Sequence, residues 1–237
     1  MDAATHKVKE IVDLLAYRCD RFGLVADVFA REVSEETLRQ MIAHACTFEG
    51  DLDDSVESVL NRDLRRLSCD DIGEFATQTR TEYARLFLGP RRVVVPLHES
   101  AYLSGTPRMF TAETLAVRGF YERYGYVMKL KNREPEDSIA VEFEFLRNLS
   151  DRCISRLEEK DILPSIEEIG NLLEAQKLFK AQHLCRWAYD FAQRVIENDQ
   201  SGFYTAWATY LSGVLHEDEA LLDECDRLLL EIQNSAC

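Results

Sequence analysis

Along most of this chain the apolar residues recur every three or four positions, which is the spacing of one buried face of an α-helix. Such stretches include residues 8–15, 56–67, 72–87, 139–157, 166–173, 184–195, 203–214 and 221–232. Polar residues occupy most of the positions between them. The pattern predicts an all-α fold, a single globular bundle of roughly nine to eleven helices, and it gives no confident strand.

Prolines separate the periodic stretches, and none lies within one. They are Pro90, Pro96, Pro107, Pro135 and Pro164. Because proline disrupts a helix interior, these residues mark the joints of a helical protein. Three of the five fall in residues 90–110, which show no helical period. A loop of about 20 residues is uncommon in a compact domain and often functional, so this segment is a candidate for function.

Individual residues predict where several helices begin and end. Gly23 is expected to end or interrupt the first helix, and Ser34 to cap the second. Gly89, followed by proline, is a strong stop signal for the fourth. Ser165 and Glu168 have the S-x-x-E spacing of a capping box, in which the two side chains bond to each other's backbone N–H groups.

The stretch KNREPEDSIAVEFEFL, residues 131–146, fits two patterns. Its alternating apolar and acidic residues after position 140 are typical of a strand. Pro135, however, stops the preceding segment, and Asp137 and Ser138 are both good N-cap residues. Two apolar rows at helical spacing follow, which indicates a helix packed on more than one side. We therefore predict a helix from about 138 to 158, capped by Asp137 or Ser138.

The 237 residues suffice for one domain with a substantial core. We predict one all-helical domain over residues 1–237. Within it we expect an N-terminal part (1–128), a hinge-like joint (129–137) and a C-terminal part (138–237).

The formal net charge of −15 argues against a nucleic-acid partner, because binding to phosphates needs clustered Lys and Arg. The charge is compatible with a cationic partner, but by itself it favours solubility as the explanation.

The expected compartment is the cytoplasm. The first residues, MDAATHKVKEIVDLL, lack the apolar core of a signal peptide, and no run approaches the roughly 18 apolar residues that span a bilayer. We therefore expect no stable membrane insertion. The seven cysteines have long, irregular spacings without a CxxC pair, which favours free thiols over disulfides or a zinc site.

Metal and enzyme motifs are also missing from the sequence. A di-iron bundle needs Glu-x-x-His on two helices, and no histidine here has a glutamate three positions before it. No HExxH, GxSxG, GxGxxG or GxxxxGK[ST] occurs. A cysteine nucleophile with a distant histidine stays open, since such pairs are not local in sequence, but no cysteine is favoured. We expect no cofactor, no metal and no enzymatic activity.

Several segments, taken in order, resemble the motifs of one family. They are EYARLFLGP (82–90), VPLHESAY (95–102), EPEDSIAVEFEFL (134–146), FKAQHLCRWAYDF (179–191) and FYTAWATYL (203–211). Together they resemble the TorD/DmsD/NarJ family of redox-enzyme maturation chaperones. The resemblance extends from about residue 80 onward; before residue 70 it rests on helical character alone.

The resemblance implies an all-α chaperone of anaerobic respiration without a cofactor. Such proteins bind the twin-arginine signal peptide of a molybdopterin-containing catalytic subunit, and often the body of that subunit. They hold export back until the cofactor is loaded. The sequence leaves open which reductase is the partner, and whether the chaperone is a monomer or a domain-swapped dimer.

The resemblance also assigns peptide-binding residues. They are Tyr83, Leu86, Phe87, Pro96, His98, Tyr102, Glu134, Pro135, Asp137, Ser138 and Glu142. Guanidinium groups pair best with carboxylates, so Glu134, Asp137 and Glu142 are expected to accept the two arginines. Aromatic and aliphatic residues are expected to line a groove for the apolar stretch that follows. Periodicity alone favours a place in the core for Leu86 and Phe87 over a groove.

Two positions depart from the family pattern. Ser138 stands where the family usually has histidine, and His98 where a tryptophan is common. Two other functions also stay open. One is a nucleotide-dependent, GTP-binding enzyme, against which the missing P-loop argues. The other is an all-α adaptor for a different cationic partner.

Overall fold

The computed structural model describes residues 3–48, 54–67, 71–89, 93–104, 111–127, 135–159 and 162–235. Within these ranges the protein is all-α, as predicted, and no strand forms. The only extended pairing there is one isolated antiparallel bridge, between His98 and Ser138.

Ten α-helices are described, within the predicted number. They are α1 (Ala3–Ala30), α2 (Glu35–Thr47), α3 (Val56–Arg66), α4 (Ile72–Tyr83), α5 (Glu99–Leu103), α6 (Ala112–Arg123), α7 (Ile139–Leu157), α8 (Ile166–Gln182), α9 (Ala188–Asn198) and α10 (Phe203–Ser235). A π-helical turn covers Ala84–Leu88, and 3-10 turns cover Leu163–Ser165 and Leu184–Arg186.

Two predicted helix starts are confirmed by their hydrogen bonds. The Ser34 hydroxyl accepts the backbone N–H of Thr37 at 3.1 Å, which caps α2. The Ser138 hydroxyl accepts the N–H of Val141 at 3.3 Å, so Ser138 rather than Asp137 caps α7. The helix that follows matches the predicted 138–158 closely, because its two apolar rows are both buried.

Three local predictions were wrong. The capping box at Ser165 does not form: its hydroxyl donates instead to the Glu159 carboxylate at 2.9 Å. Gly23 does not interrupt α1, which continues to Ala30 because both of its faces are covered by other helices. The segment 90–110 is not wholly a loop, since its described part contains α5.

The hydrophobic core is built around α1, which packs along both α7 and α10. One continuous cluster of buried residues extends from Ile11 to Ile232 and includes helices on both sides of the predicted joint. Most of that joint, residues 129–137, lies outside the described residues. The division into two parts with a hinge therefore stays a prediction.

A polar network lies in the middle of this core. Arg18 on α1 is only 1% exposed. Its Nε donates to Oδ1 of Asp218 at 2.6 Å, and its Nη1 donates to Oγ of Ser150 at 2.6 Å and to Gln176. Asp218 also accepts from Nζ of Lys180 at 2.6 Å. Burial disfavours the charge on Asp218, but the two cations outweigh it and hold the pKa of that carboxyl below its usual range.

We expect Asp218→Asn to lower the free energy of unfolding by about 3–5 kcal/mol, because it leaves the charges of Arg18 and Lys180 buried without a counter-ion. Urea unfolding followed by circular dichroism measures the change. The matched control is Glu224→Gln, which breaks an exposed pair with Arg227 and should cost less than about 1 kcal/mol. Equal costs for the two variants would contradict a structural role for the network.

Candidate functional site

The first motif segment, EYARLFLGP (82–90), departs from α-helical geometry. After α4 the chain makes the π-helical turn Ala84–Leu88, which the N–H of Gly89 closes on the carbonyl of Ala84 at 3.0 Å. Carbonyls at a helix end need partners outside the helix. That of Leu86 accepts the N–H of Val95 at 2.9 Å, which attaches the proline-rich segment to the end of the helix.

The apolar residues of this turn face the core. Tyr83, Leu86 and Phe87 are all buried. The Tyr83 hydroxyl donates to the carbonyl of Phe29 at 3.1 Å, and the Phe87 ring packs against the ring of Tyr204. Burial raises the pKa of Tyr83 to about 12. These residues leave little surface for a peptide in this conformation, and their role in peptide binding stays a prediction.

The second and third motif segments, far apart in sequence, are joined in space. The N–H of Glu99 donates to the carbonyl of Asp137 at 2.8 Å, and the N–H of Ile139 donates to that of Leu97 at 2.9 Å. These bonds form the His98–Ser138 bridge. The proline-rich segment and the start of α7 therefore form one structural unit.

Asp137 is fully buried within this unit. Its Oδ2 accepts the N–H of Ser100 at 2.8 Å, so the side chain caps α5 from a different segment of the chain. Asp137 is thus not exposed to an incoming arginine here. Its substitution by alanine would loosen α5 as well as remove a charge, so lost peptide affinity in that variant would not by itself show direct contact.

A cluster of buried acids lies beneath the bridge. Glu99 and Glu142 are almost completely buried, and Glu142 accepts from Nε1 of Trp187 at 3.4 Å. Nδ1 of His183 lies 3.2 Å from both carboxylate oxygens of Glu99. Burial, followed by the nearby charges of Glu99 and Asp137, raises the pKa of Glu142 well above its usual range. Glu142 therefore keeps its proton at pH values where an exposed glutamate is ionised.

One carboxylate of the joint already binds an arginine. Glu136 forms a bidentate pair with Arg118 of α6, with bonds of 2.9 Å from Nε and 3.0 Å from Nη2. Tyr121 of the same helix donates its hydroxyl to the backbone carbonyl of Glu136 at 3.2 Å. Arg118 is partly exposed at this position. The site thus contains a carboxylate with the geometry that guanidinium recognition needs.

The surface of the unit is formed by the partly exposed members of the predicted set. They are Pro96, His98, Tyr102 and Ser138. The Tyr102 hydroxyl donates to the carbonyl of Pro96 at 2.9 Å, and its ring packs on Trp187 with centroids 5.1 Å apart. The guanidinium of Arg194 lies over the same ring at 4.7 Å. Pro135 is buried, and Glu134 lies outside the described residues.

Several residues of this site were missed by the sequence analysis. Glu99, His183 and Trp187 lie within motif segments, but no local spacing connects them to Glu142. Glu136 is the variable position of its motif, and its partner comes from α6. These contacts depend on how helices pack, which a single sequence does not reveal.

Some expected chemistry can be checked within the described ranges. There, no group of three or more His, Cys, Asp or Glu side chains is arranged to hold a metal ion. Over the same residues, no helix combines the length and hydropathy required to cross a membrane. The cysteines that the structure describes are free thiols: Cys19, Cys46, Cys153, Cys185 and Cys225.

Comparison with known proteins gives consistent matches. Residues 53–193 match the family model described as the nitrate reductase delta subunit. The chaperone protein TorD of Vibrio cholerae is 26% identical over 228 residues, which cover 92% of this chain and 97% of that protein. A Haemophilus influenzae protein named "Probable Tat proofreading chaperone DmsD" is 27% identical over 127 residues, 54% of this chain and 53% of that protein.

A solved structure is also similar. The crystal structure of a proposed redox enzyme maturation protein from Archaeoglobus fulgidus aligns with a TM-score of 0.45 at 20% identity, over 81% of this chain and 91% of that one.

The raised pKa of Glu142 predicts how stability depends on pH. Between about 4.5 and the folded-state pKa, the folded protein holds a proton that the unfolded chain releases, so wild-type stability falls as pH rises. Glu142→Gln removes this proton. As pH rises above about 4.5, we expect the free energy of unfolding of the variant to increase relative to that of wild type by up to roughly 1 kcal/mol per pH unit.

Urea unfolding at several pH values measures the difference. Glu144→Gln is the matched control, because Glu144 is exposed two residues further along α7. The neighbouring ionisable groups Glu99, Asp137, His183 and Tyr121 are unchanged in both variants. Parallel pH profiles for the two variants would contradict a proton held on Glu142.

Proposed function

Since this chain belongs to the nitrate reductase delta subunit family, that of the TorD/DmsD/NarJ chaperones, we propose that it is a chaperone for a molybdopterin-containing oxidoreductase. It binds the twin-arginine signal peptide of the catalytic subunit, and it holds export back while the cofactor is loaded. The relatives that are named TorD and DmsD are named as chaperones, which supports a binding protein over an enzyme.

The observation that carries this proposal is the pairing of the two motif segments. The resemblance assigns peptide contacts to residues 95–102 and 134–146, and the described parts of these segments form one unit through the His98–Ser138 bridge. A set of residues that serve one ligand should be close in space although they are distant in sequence. This arrangement therefore supports a common binding site.

Burial decides which carboxylates can meet an arginine without a change of conformation. Asp137 and Glu142 have no exposed surface, and burial raises the pKa of Glu142 well above its usual range. Glu136 is different, because its guanidinium partner Arg118 reaches the surface. A peptide arginine can take the place of Arg118 without exposing the acid cluster. We therefore add Glu136 to the expected arginine acceptors.

Calorimetric titration with a synthetic twin-arginine signal peptide tests the proposal. We expect wild type to bind, and the affinity to fall as ionic strength rises because paired charges are screened. Glu136→Gln should weaken binding roughly tenfold or more, the usual worth of a charge-assisted hydrogen bond. Arg118→Gln, which frees the carboxylate, should strengthen it.

Glu144→Gln is the control for the loss of one negative charge near the joint. Circular dichroism must show that each variant is folded, because Glu136 is buried. A peptide with both arginines replaced by glutamine should bind wild type more weakly than the arginine peptide does. Wild type and Glu136→Gln should bind this glutamine peptide with no detectable difference. Equal binding of the arginine and glutamine peptides would contradict twin-arginine recognition.

The partner itself can be identified by affinity purification of the full chain from its native cells. The proposal predicts recovery of a large molybdenum oxidoreductase subunit that still carries its signal peptide. Recovery of that subunit should decline when the synthetic twin-arginine peptide is added in excess as a competitor. A different set of partners, unaffected by the peptide, would support the adaptor alternative.

A further inference from the structure

A groove on another side of the molecule is not explained by the site described above. It is a cavity of about 540 Å³ between α8, the start of α9 and the middle of α10. We call it the lateral groove. Its apolar lining consists of Leu178, Ala181, Cys185, Tyr189, Leu215 and Leu222. The volume lies in the range of ligand-binding pockets and accommodates a few side chains rather than a whole helix.

The mouth of the lateral groove exposes large apolar side chains. Leu178 on α8 is 38% exposed and Tyr189 on α9 is 41% exposed, whereas Leu215 and Leu222 at its floor are buried. Apolar residues that are exposed together around a cavity are typical of an interaction site. The lining therefore favours an apolar ligand.

The charges around the groove are predominantly negative. Lys177 is paired with Asp223 and Asp226. Glu174 and Glu219, on α8 and α10, are exposed, and neither forms an ion pair with another residue that the structure describes. Lys180 also lines the groove, but it is paired with Asp218 of the core, and His216 lies at the exposed rim. The excess of carboxylates favours a partner that is positively charged as well as apolar.

The groove and the acid cluster lie on two sides of the same turn. His183 contacts Glu99, and Trp187 contacts Glu142. Cys185, between them in sequence, lines the lateral groove. One turn of the chain therefore holds side chains of both the buried acid cluster and the lateral groove.

Most of the residues first expected to line an apolar groove have little exposed surface. Tyr83, Leu86 and Phe87 are buried in the core and Tyr102 is partly exposed, so a long apolar stretch of a ligand needs more surface than these residues offer in this conformation. A twin-arginine signal peptide combines positive charge with an apolar stretch, which are the two properties that the lateral groove favours. We infer that the apolar stretch of the signal peptide binds in the lateral groove, an inference that rests on the proposed function.

Two variants and two peptides test this inference. Leu178→Gln places a polar side chain at the mouth of the lateral groove, and Ala181→Trp fills its cavity. Both positions are exposed on α8, and neither replacement disfavours a helix strongly. We expect Leu178→Gln to lower the affinity for the signal peptide about three- to tenfold, since it removes part of the burial of one leucine. Ala181→Trp should lower it at least as much.

Leu230→Gln is the matched control, because Leu230 is 58% exposed on α10 outside the groove. The second peptide keeps both arginines but has serine and glycine in place of its apolar stretch. Both groove variants should bind this polar peptide as wild type does. If removal of the apolar stretch lowers the peptide affinity of wild type and of the groove variants equally, the apolar stretch does not interact with the groove, and the inference is overturned.

The outcomes separate this inference from the proposed function. If wild type binds neither peptide, the proposed function fails, and the inference fails with it. If wild type binds the signal peptide and Leu178→Gln binds it equally well, only the inference fails. Sedimentation tests whether a second copy of this chain occupies the groove instead. If wild type is a dimer and the groove variants are monomers that bind the peptide normally, the groove is a dimer interface. That result also overturns the inference.

Discussion

The buried ion pair between Arg18 and Asp218 is the interaction on which the arrangement of the helices depends. Removing two charges from water costs several kcal/mol per ion unless their hydrogen-bonding groups find partners. The guanidinium of α1 finds them on α10, on Ser150 of α7 and on Gln176 of α8. A shift of any of these helices along its neighbours would leave a buried charge or one of its hydrogen-bond donors without a partner. Apolar contacts among the same helices would tolerate such a shift more easily.

The same ion pair also positions the candidate site, because Asp218 binds Lys180 near the end of α8. Three residues after Lys180, His183 contacts Glu99. The two buried clusters differ in their balance of charge. In the core, two cations outweigh burial and lower the pKa of Asp218. In the site, Glu142 is buried close to the acids Glu99 and Asp137, and its pKa is raised. Such departures from balanced burial are typical of functional sites.

Features that depend on neighbours in sequence could be predicted well. The all-α fold and the extent of α7 follow from apolar spacing and from Ser138 as a cap. The site could be predicted only in part. Periodicity cannot tell whether Leu86 faces the core or a groove, since both surfaces are apolar. The pairs Arg118–Glu136 and Glu99–His183 join different helices, and each depends on a packing geometry that local spacing does not determine.

The turn after α8 joins the buried acid cluster to the lateral groove. Its residues alternate between them, with His183 and Trp187 against the acids and Cys185 in the lateral groove. Lys180 ties the last turn of α8 to Asp218 in the core. The charge buried for stability therefore also anchors the turn on which both features are built.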